Sequence, residues 1–173
     1  MVDRLPEVAA AEGLRGVMAA FPTGVAVVAS TGAGGVPYGM TCSALCSVSL
    51  EPPTLLVCLR HGATLDAVLG RGTFAVNLLH DRARATAELF ASAVPDRFEH
   101  VRWQDHPAGG PYLFDVTHAV VHCRVVSTTE VGDHAAVFGG VSAIHSQPHP
   151  TPLLYGLRRY SAWPAPEPCR GPS

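Results

Sequence analysis

The sequence of 173 residues contains no lysine, so arginine supplies all twelve of its cationic side chains. The Walker-type phosphate loop and Schiff-base chemistry both need lysine, and both are therefore excluded. Charged residues make up only 15% of the chain, below the ~25% typical of soluble domains, and the formal net charge is -2. Because no basic stripe is present, we expect no nucleic-acid partner.

The sequence also lacks signals for a membrane or a secretory pathway. No run reaches the ~18 consecutive apolar residues of a membrane span, and the first twelve residues do not resemble a signal peptide. The five cysteines are an odd number, and no secretory context favours disulfides. We therefore expect a reduced, cytoplasmic protein without a membrane partner. The low charge further predicts a surface partly covered by a second subunit or a large ligand.

Turn residues are abundant, with 17 glycines and 15 prolines, which is typical of a β-rich fold. The hydrophobic periodicity predicts a single antiparallel β-barrel domain with helical excursions over residues 1–162, and a proline-rich disordered tail over 163–173. Regular strand–helix alternation, which a parallel doubly wound sheet needs, is missing. Strands are predicted over 24–30, 36–43, 45–50, 54–59, 73–79, 116–130, 134–146 and 153–160. Helices are predicted over 4–20, 64–69 and 81–93, and 95–111 is predicted to be a loop.

Three details of this prediction depend on side-chain patterns. The continuous apolar run 54–59 indicates a strand buried on both faces. Over 45–50, Cys46, Val48 and Leu50 share one face, and the two intervening serines share the other. Asp81 is the expected N-cap of the helix 81–93.

Two familiar types of site are not supported. The glycine cluster fails the dinucleotide fingerprint because Pro37 stands where the third glycine belongs, so a hairpin turn is the better interpretation. His118 and His122 are four residues apart, but on a strand this spacing spans ~13 Å, too far to share one zinc ion. The same argument separates Cys42 from Cys46. We therefore expect no metal site.

Small hydroxyl side chains are concentrated in one predicted strand region, at Thr41, Ser43, Ser47 and Ser49. They bury little surface, so their presence has two explanations. The strand has an exposed face, or a ligand lies along it and bonds the hydroxyl and backbone groups. Composition alone does not separate the two.

Ordered motifs across residues 14–160 resemble the flavin reductase-like family with the FMN-binding split barrel. The motifs that carry the resemblance are Phe21-Pro22-Thr23-Gly24-Val25, Gly39-Met40-Thr41-Cys42-Ser43-Ala44, Ser47-Val48-Ser49-Leu50-Glu51-Pro52-Pro53, Phe74-Ala75-Val76-Asn77-Leu78-Leu79, Arg97-Phe98, Gly132-Asp133-His134, Pro152-Leu153-Leu154-Tyr155 and Tyr160.

This resemblance implies an NAD(P)H:flavin oxidoreductase that forms a homodimer. NADH or NADPH would pass a hydride from C4 of its nicotinamide to N5 of FMN or FAD. The reduced flavin would serve a separate flavin-dependent monooxygenase. Two alternatives stay open: a protein that holds FMN tightly and acts directly on an organic substrate, and a flavin-binding protein without catalytic activity.

The resemblance also implies the site residues. His134 would lie near the nicotinamide as the catalytic residue, unless it is only a turn histidine. Arg60 would bind the flavin phosphate, unless it is a solvated cation, and Asn77 would meet either the flavin or a neighbouring backbone. The residues implied in cofactor binding are Thr41, Cys42, Ser43, Ala44, Cys46, Ser47, Ser49, Cys58, Leu59, Arg60, Thr64, Asn77, Arg97, Phe98 and Tyr160.

Overall fold

The computed structural model describes residues 10–148 and 151–163. These residues form three α-helices and twelve β-strands, with short 3-10 turns at Ala33–Gly35 and Arg97–His100. The helices are α1 (Ala10–Ala19), α2 (Ala63–Arg71) and α3 (Arg84–Ala91). The strands are β1 (Thr23–Gly24), β2 (Ala26–Thr31), β3 (Pro37–Cys42), β4 (Leu45–Leu50), β5 (Pro53–Arg60), β6 (Thr73–Leu79), β7 (Trp103–His106), β8 (Gly110–Leu113), β9 (Thr117–Val131), β10 (His134–Ser146), β11 (Leu153–Gly156) and β12 (Arg159–Ala162).

An antiparallel sheet of seven strands, in the order β3-β2-β6-β9-β10-β5-β4, forms the body of the protein. Its two end strands, β3 and β4, follow one another in the chain. The Sγ atom of Cys42, at the end of β3, lies 3.6 Å from the carbonyl oxygen of Cys58 on β5. The sheet therefore curls back on itself, and the enclosed apolar core includes Val28, Val57 and Phe74.

A second apolar cluster covers the opposite face of β2. Val27, Ala29 and Leu79 pack there against Phe90 of α3 and Leu113 of β8. Every residue from Ala26 to Ser30 is consequently buried. The second cluster attaches α3 and the β7–β8 hairpin to the barrel, and it positions the segment that follows α3.

The predicted elements are present with several corrections to their boundaries. The first helix is described from Ala10, and the rest of the 4–20 prediction lies outside the described residues. The strand predicted over 24–30 is divided, because β1 pairs with β11 whereas β2 joins the large sheet. The segment 95–111 contains a two-stranded hairpin, and the segment 153–160 begins the β11–β12 hairpin. Of the predicted tail only Trp163 is described.

The three side-chain expectations are also corrected. Burial along β5 alternates, so this strand is buried on one face and partly covered on the other. The alternation along β4 is interrupted by a bulge between Ser47 and Ser49. Asp81 does not cap α3, whose N-cap is Ala83; the Asp81 backbone N–H instead bonds the carbonyl of Thr151 at 2.8 Å. Across residues 10–148 and 151–163, no helix is long and apolar enough to cross a bilayer.

Candidate functional site

A cleft of about 830 Å³ opens between β3, the start of α2 and the segment that follows α3. Small-molecule sites commonly occupy about 300–1,000 Å³, so the cleft can hold most of a cofactor. Five of the predicted site residues line it: Thr41, Arg60, Thr64, Arg97 and Phe98. These residues come from three separate parts of the chain, and tertiary structure brings them together.

One end of this cleft is suited to an anion. The first N–H groups of any helix lack intrahelical partners, and no side chain caps α2 at its N-terminus. Thr64 lies in this first turn, and Arg60 lies at the end of the strand just before it. The Arg60 side chain is 71% exposed and therefore accessible to a ligand. Backbone N–H groups and a guanidinium are the usual ligands of a phosphate.

The opposite wall is backed by two buried phenylalanine rings. The rings of Phe90 and Phe98 meet edge to face, with centroids 5.0 Å apart. A Cβ on Gly39 would lie 3.1 Å from an atom of each ring, so the β3 backbone approaches the wall closely. Arg97 donates to three backbone carbonyls, those of Val94, Gly39 and Phe90, at 2.9, 3.0 and 3.2 Å. Arg97 therefore fixes the wall, and its Nε and one terminal nitrogen are engaged by the chain itself.

The Thr41 hydroxyl donates to the carbonyl of Ala87 on α3 at 2.7 Å. This bond connects β3 to α3 across the edge of the cleft. The oxygen of Thr41 keeps its capacity to accept a hydrogen bond from a ligand.

His134 lies at the first position of β10, directly opposite Arg60 in the strand register. Its Nδ1 atom is 2.7 Å from Oδ1 of Asp133, and the other carboxylate oxygen is 3.6 Å from Nε of Arg60. The hydrogen bond with His134, together with the charges of His134 and Arg60, holds the pKa of Asp133 below its usual value. The three side chains form one polar group beside the end of the cleft that Arg60 lines.

The hydroxyl-bearing strand region divides between several surroundings. Ala44, Cys46 and Ser47 are exposed on the edge strand β4 and the turn before it. Ser49 closes a local turn, since its hydroxyl donates to the Glu51 carbonyl and accepts the Glu51 N–H. Ser43 borders a smaller cleft of about 330 Å³ next to β1 and β11.

The remaining predicted residues lie outside the large cleft. Cys42 and Leu59 face the barrel core, and burial raises the pKa of the Cys42 thiol to about 11. Cys58 is half-buried, and its N–H bonds the carbonyl of Ala44 at 2.9 Å. Tyr160 packs beside Tyr155 and lies 5.8 Å below the guanidinium of Arg84, away from the large cleft.

Asn77 is completely buried and bonded to backbone. Its amide nitrogen donates to the carbonyls of Val27 and Pro111 at 3.2 and 3.0 Å, and its oxygen accepts the Leu113 N–H at 2.9 Å. The sequence left open whether Asn77 meets the flavin or a neighbouring backbone, and in the structure its side chain bonds the backbone. Asn77 joins β2, β6 and β8 and leaves no polar atom for a cofactor.

Sequence reasoning missed several residues that line the cleft, including His61, Gly62 and Asp96. His61 is paired with Glu130 at 3.0 Å. Gly62 has a φ of 146°, a conformation that side chains strongly disfavour, and it turns the chain from β5 into α2. The sequence did contain a signal for these residues: Gly62 lies just before the helix predicted over 64–69 and two residues after Arg60. His118 and His122 were expected not to share a metal ion. In the structure His122 lies beside His106 and His145 instead of His118.

Comparison with known proteins identifies the family. Residues 18–164 match the family model described as flavin reductase like domain. A flavin reductase (NADPH) from Lentzea aerocolonigenes is 50% identical over 151 residues, which cover 86% of this chain and 88% of that protein. The NADH:FAD oxidoreductase of Streptomyces globisporus C-1027, solved in complex with NAD and FAD fragments, has a TM-score of 0.84 at 31% identity and covers 95% of this chain and 98% of its own.

A further solved structure, the styrene monooxygenase flavin reductase of Pseudomonas putida S12, has a TM-score of 0.80 at 33% identity. The match covers 88% of this chain and 99% of that one. These similarities confirm the split-barrel fold and the enzyme class that the sequence motifs predicted. The chain therefore belongs to the flavin reductase-like family, as an NAD(P)H:flavin oxidoreductase.

Proposed function

We propose that this protein binds FMN or FAD in the large cleft, reduces it with NADH or NADPH, and supplies the product to a flavin-dependent monooxygenase. The observation that carries the assignment of the site is the uncapped N-terminus of α2 beside Arg60, at one end of the large cleft. The flavin reductase of a styrene monooxygenase among the structural relatives supports the monooxygenase partner. The cytoplasmic location stays a prediction.

The phosphate of the flavin is assigned to the first turn of α2. Free backbone N–H groups there carry partial positive charge, and the helix dipole favours an anion at the same point. Arg60 adds a full charge within the same end of the cleft, and the Thr64 hydroxyl adds a donor. Gly62 lets the backbone approach the ligand, since nothing lies within 4 Å of the place where its Cβ would be.

A bound flavin supplies the redox chemistry, since its ring accepts the hydride that nicotinamide donates. The task of the chain is to hold two rings in contact and to exclude water between them. The backbone at Gly39, backed by the buried rings of Phe90 and Phe98, would form one side of that enclosure. Among the described residues that line the cleft, no cysteine or serine–histidine pair suggests covalent catalysis.

His134 is assigned to the nicotinamide side of the site. Asp133 binds Nδ1 of the ring, so Nε2 is the nitrogen left for a nucleotide or for proton transfer. The side chain is 45% exposed, as a residue that contacts an exchanging substrate must be.

A homodimer completes this proposal. On the edge strand β4, Leu50 is 83% exposed and Val48 is 49% exposed, next to the exposed Cys46 and Ser47. An uncovered apolar edge strand favours association with another chain. A second copy placed on β4 would cover these residues and turn the hydroxyl-bearing strand into one side of a shared flavin site.

The activity is tested by following oxidation of NADH and of NADPH with FMN, FAD, riboflavin or no flavin. The expected result is oxidation that depends on added flavin. Oxidation of neither nucleotide with any flavin would refute the proposal. A yellow protein that keeps its FMN through dialysis and turns over an organic substrate without added flavin would favour the alternative of a directly acting flavoprotein.

The phosphate assignment is tested with Arg60→Gln. Loss of a charge-assisted hydrogen bond should raise the KM for FMN about tenfold. Riboflavin, which has no phosphate, should be affected little. The matched control is Arg82→Gln, because the Arg82 side chain is 90% exposed and outside the cleft. An equal rise in the KM for FMN and for riboflavin in Arg60→Gln would show that the phosphate binds elsewhere.

The dimer is tested by sedimentation. Leu50→Glu should shift the protein toward monomer and reduce flavin-dependent activity, while Leu157→Glu, on the β11–β12 turn, should do neither. A fully active monomer in the unmodified protein would contradict the shared site.

A further inference from the structure

Three histidines from three strands meet on the barrel outside the large cleft. His106 ends β7, His122 lies in β9 and His145 lies in β10. One ring nitrogen from each lies within 4.8 Å of the other two. The rings of His106 and His122 are stacked at 4.1 Å, and His145 meets both edge to face at 5.7 and 5.6 Å.

His122 is the unusual member of this cluster. It is completely buried, and neither ring nitrogen has a hydrogen-bond partner. Buried polar groups are almost always bonded, so an imidazole without a partner on either nitrogen calls for an explanation. A histidine that merely filled the core would bond at least one nitrogen to a neighbouring group.

The surrounding backbone is shaped around this ring. A Cβ on Gly109 would lie 2.4 Å from Nδ1 of His122, so only glycine fits there. The Ser142 hydroxyl lies 3.1 Å from the carbonyl oxygen of Ala108 and 3.0 Å from that of His122. The turn after β7 is thus fastened to β9 and β10, which holds His106 over His122 before any ligand binds.

We propose that His106, His122 and His145 form a binding site for a divalent transition-metal ion of the Zn²⁺ class, separate from the flavin cleft. Imidazole nitrogens suit Zn²⁺, Cu²⁺ or Ni²⁺ and disfavour Mg²⁺ and Ca²⁺, which need oxygen ligands. Three protein ligands leave one coordination position for water. His145 is the exposed member of the three, so solvent reaches the cluster from its side.

Binding requires the rings to move, because the stacked rings of His106 and His122 direct their nitrogen lone pairs side by side rather than at one point. At Zn–N bonds of ~2.0–2.1 Å, tetrahedral ligand nitrogens lie roughly 3.3 Å apart, so the rings must draw together. His145 is exposed and able to rotate. Nδ1 of His106 accepts the Ala108 N–H at 3.2 Å, and an ion on either nitrogen of His106 would end that bond.

The protonation state of His122 suits a metal ligand. Burial, with added repulsion from His106 and His145, lowers the pKa of His122 to about 4. The ring is therefore neutral near pH 7, and an ion has no proton to displace there. Bound metal would join the β7–β8 hairpin to β9 and β10, and we expect it to stabilise this side of the barrel.

The test uses the full chain without a histidine tag, stripped with EDTA and titrated with Zn²⁺ or with Mg²⁺. Metal bound per chain is measured by equilibrium dialysis, and stability by thermal unfolding. We expect one Zn²⁺ per chain and a rise in Tm of about 5 °C at saturation, with no effect of Mg²⁺. Co²⁺ in place of Zn²⁺ should give the visible absorption of a tetrahedral site.

The variant His145→Ala removes an exposed ligand without disturbing the core, and it should weaken Zn²⁺ binding at least tenfold and abolish the rise in Tm. His100→Ala, an exposed histidine outside the cluster, should leave both unchanged. The proposal is overturned by the absence of stoichiometric Zn²⁺ binding, or by His145→Ala binding Zn²⁺ as tightly as the unmodified chain. Equal binding of Mg²⁺ would overturn it as well.

Discussion

The Nδ1 atom of His134 lies 2.7 Å from Oδ1 of Asp133, and this pair stands across the strand register from Arg60. The carboxylate orients the imidazole ring, and the lowered pKa of Asp133 keeps it ionised down to a lower pH than a free aspartate. A turn between two long strands thereby presents a histidine in a defined orientation beside Arg60, which lines the large cleft.

Asp133→Asn should lower kcat/KM for NADH or NADPH about tenfold, because the ring of His134 loses the partner that orients it. His134→Ala should have a similar effect, and the double variant should be little worse than either single one, since the residues act as a unit. Steady-state kinetics at fixed saturating flavin measures this. Fully additive losses would show that the two side chains act independently.

Asn77→Ala should destabilise the fold rather than impair flavin binding. The change leaves two carbonyls and one N–H without their partner in a buried place, so the free energy of unfolding should fall by about 3 kcal/mol or more. Denaturant unfolding measures the loss, with the exposed Gln104→Ala as the control. If stability were unchanged and the KM for FMN rose instead, Asn77 would belong to the flavin site.

The cysteines should differ sharply in reactivity toward a maleimide. Cys46 is exposed on β4, whereas Cys42 and Cys123 are buried, and burial raises their pKa values to about 11 and about 12. In a Cys169→Ser background, native protein near pH 7.5 should be labelled at Cys46, and the two buried thiols only after denaturation. Peptide mass spectrometry identifies the labelled positions. FMN should slow labelling of Cys46 if β4 borders the bound flavin.

Stability should depend on pH through His122. Its pKa is about 4 in the folded protein and 6.5 in an unfolded chain, so between these values the unfolded state binds more protons. The contribution of neutral His122 to the free energy of unfolding is complete above about pH 6.5 and is lost as the pH falls toward about 4. The free energy of unfolding should change by at most ~1.4 kcal/mol per pH unit from this source.

Denaturant unfolding in EDTA at a series of pH values measures this slope. His122→Phe keeps a ring in the same space but cannot titrate, so its unfolding free energy should fall less steeply over the same range. His106 and His145 remain in the variant, which isolates the contribution of His122. Identical slopes for the two proteins would show that His122 does not carry the effect.

Much of the fold followed from local patterns. Strands such as β6 and β10 were predicted with their observed ends, because strand alternation and flanking turn residues are properties of short segments. The family followed from the order of several motifs along the chain. Hairpins inside 95–111 and after 153 were missed, since short strands paired only with each other leave little hydrophobic signal.

The candidate site shows where such reasoning ends. The family resemblance implied a phosphate near Arg60 and Thr64, and a cation beside a helix start is a local pattern that agrees with it. Both residues line the observed cleft. Asn77 looked equally polar in its strand, yet its role depends on Val27, Pro111 and Leu113, which are distant in sequence.

By itself, the sequence determined the β-rich class, most strand positions, the exclusion of lysine chemistry and the resemblance to flavin reductases. These depend on composition and on patterns within a few residues. Only the tertiary structure decided which polar side chains face a cleft and which are hydrogen-bonded to backbone groups. It also decided that His122 lies beside His106 and His145. Such neighbours come from different strands, and their meeting depends on how the whole sheet curls, which no local pattern encodes.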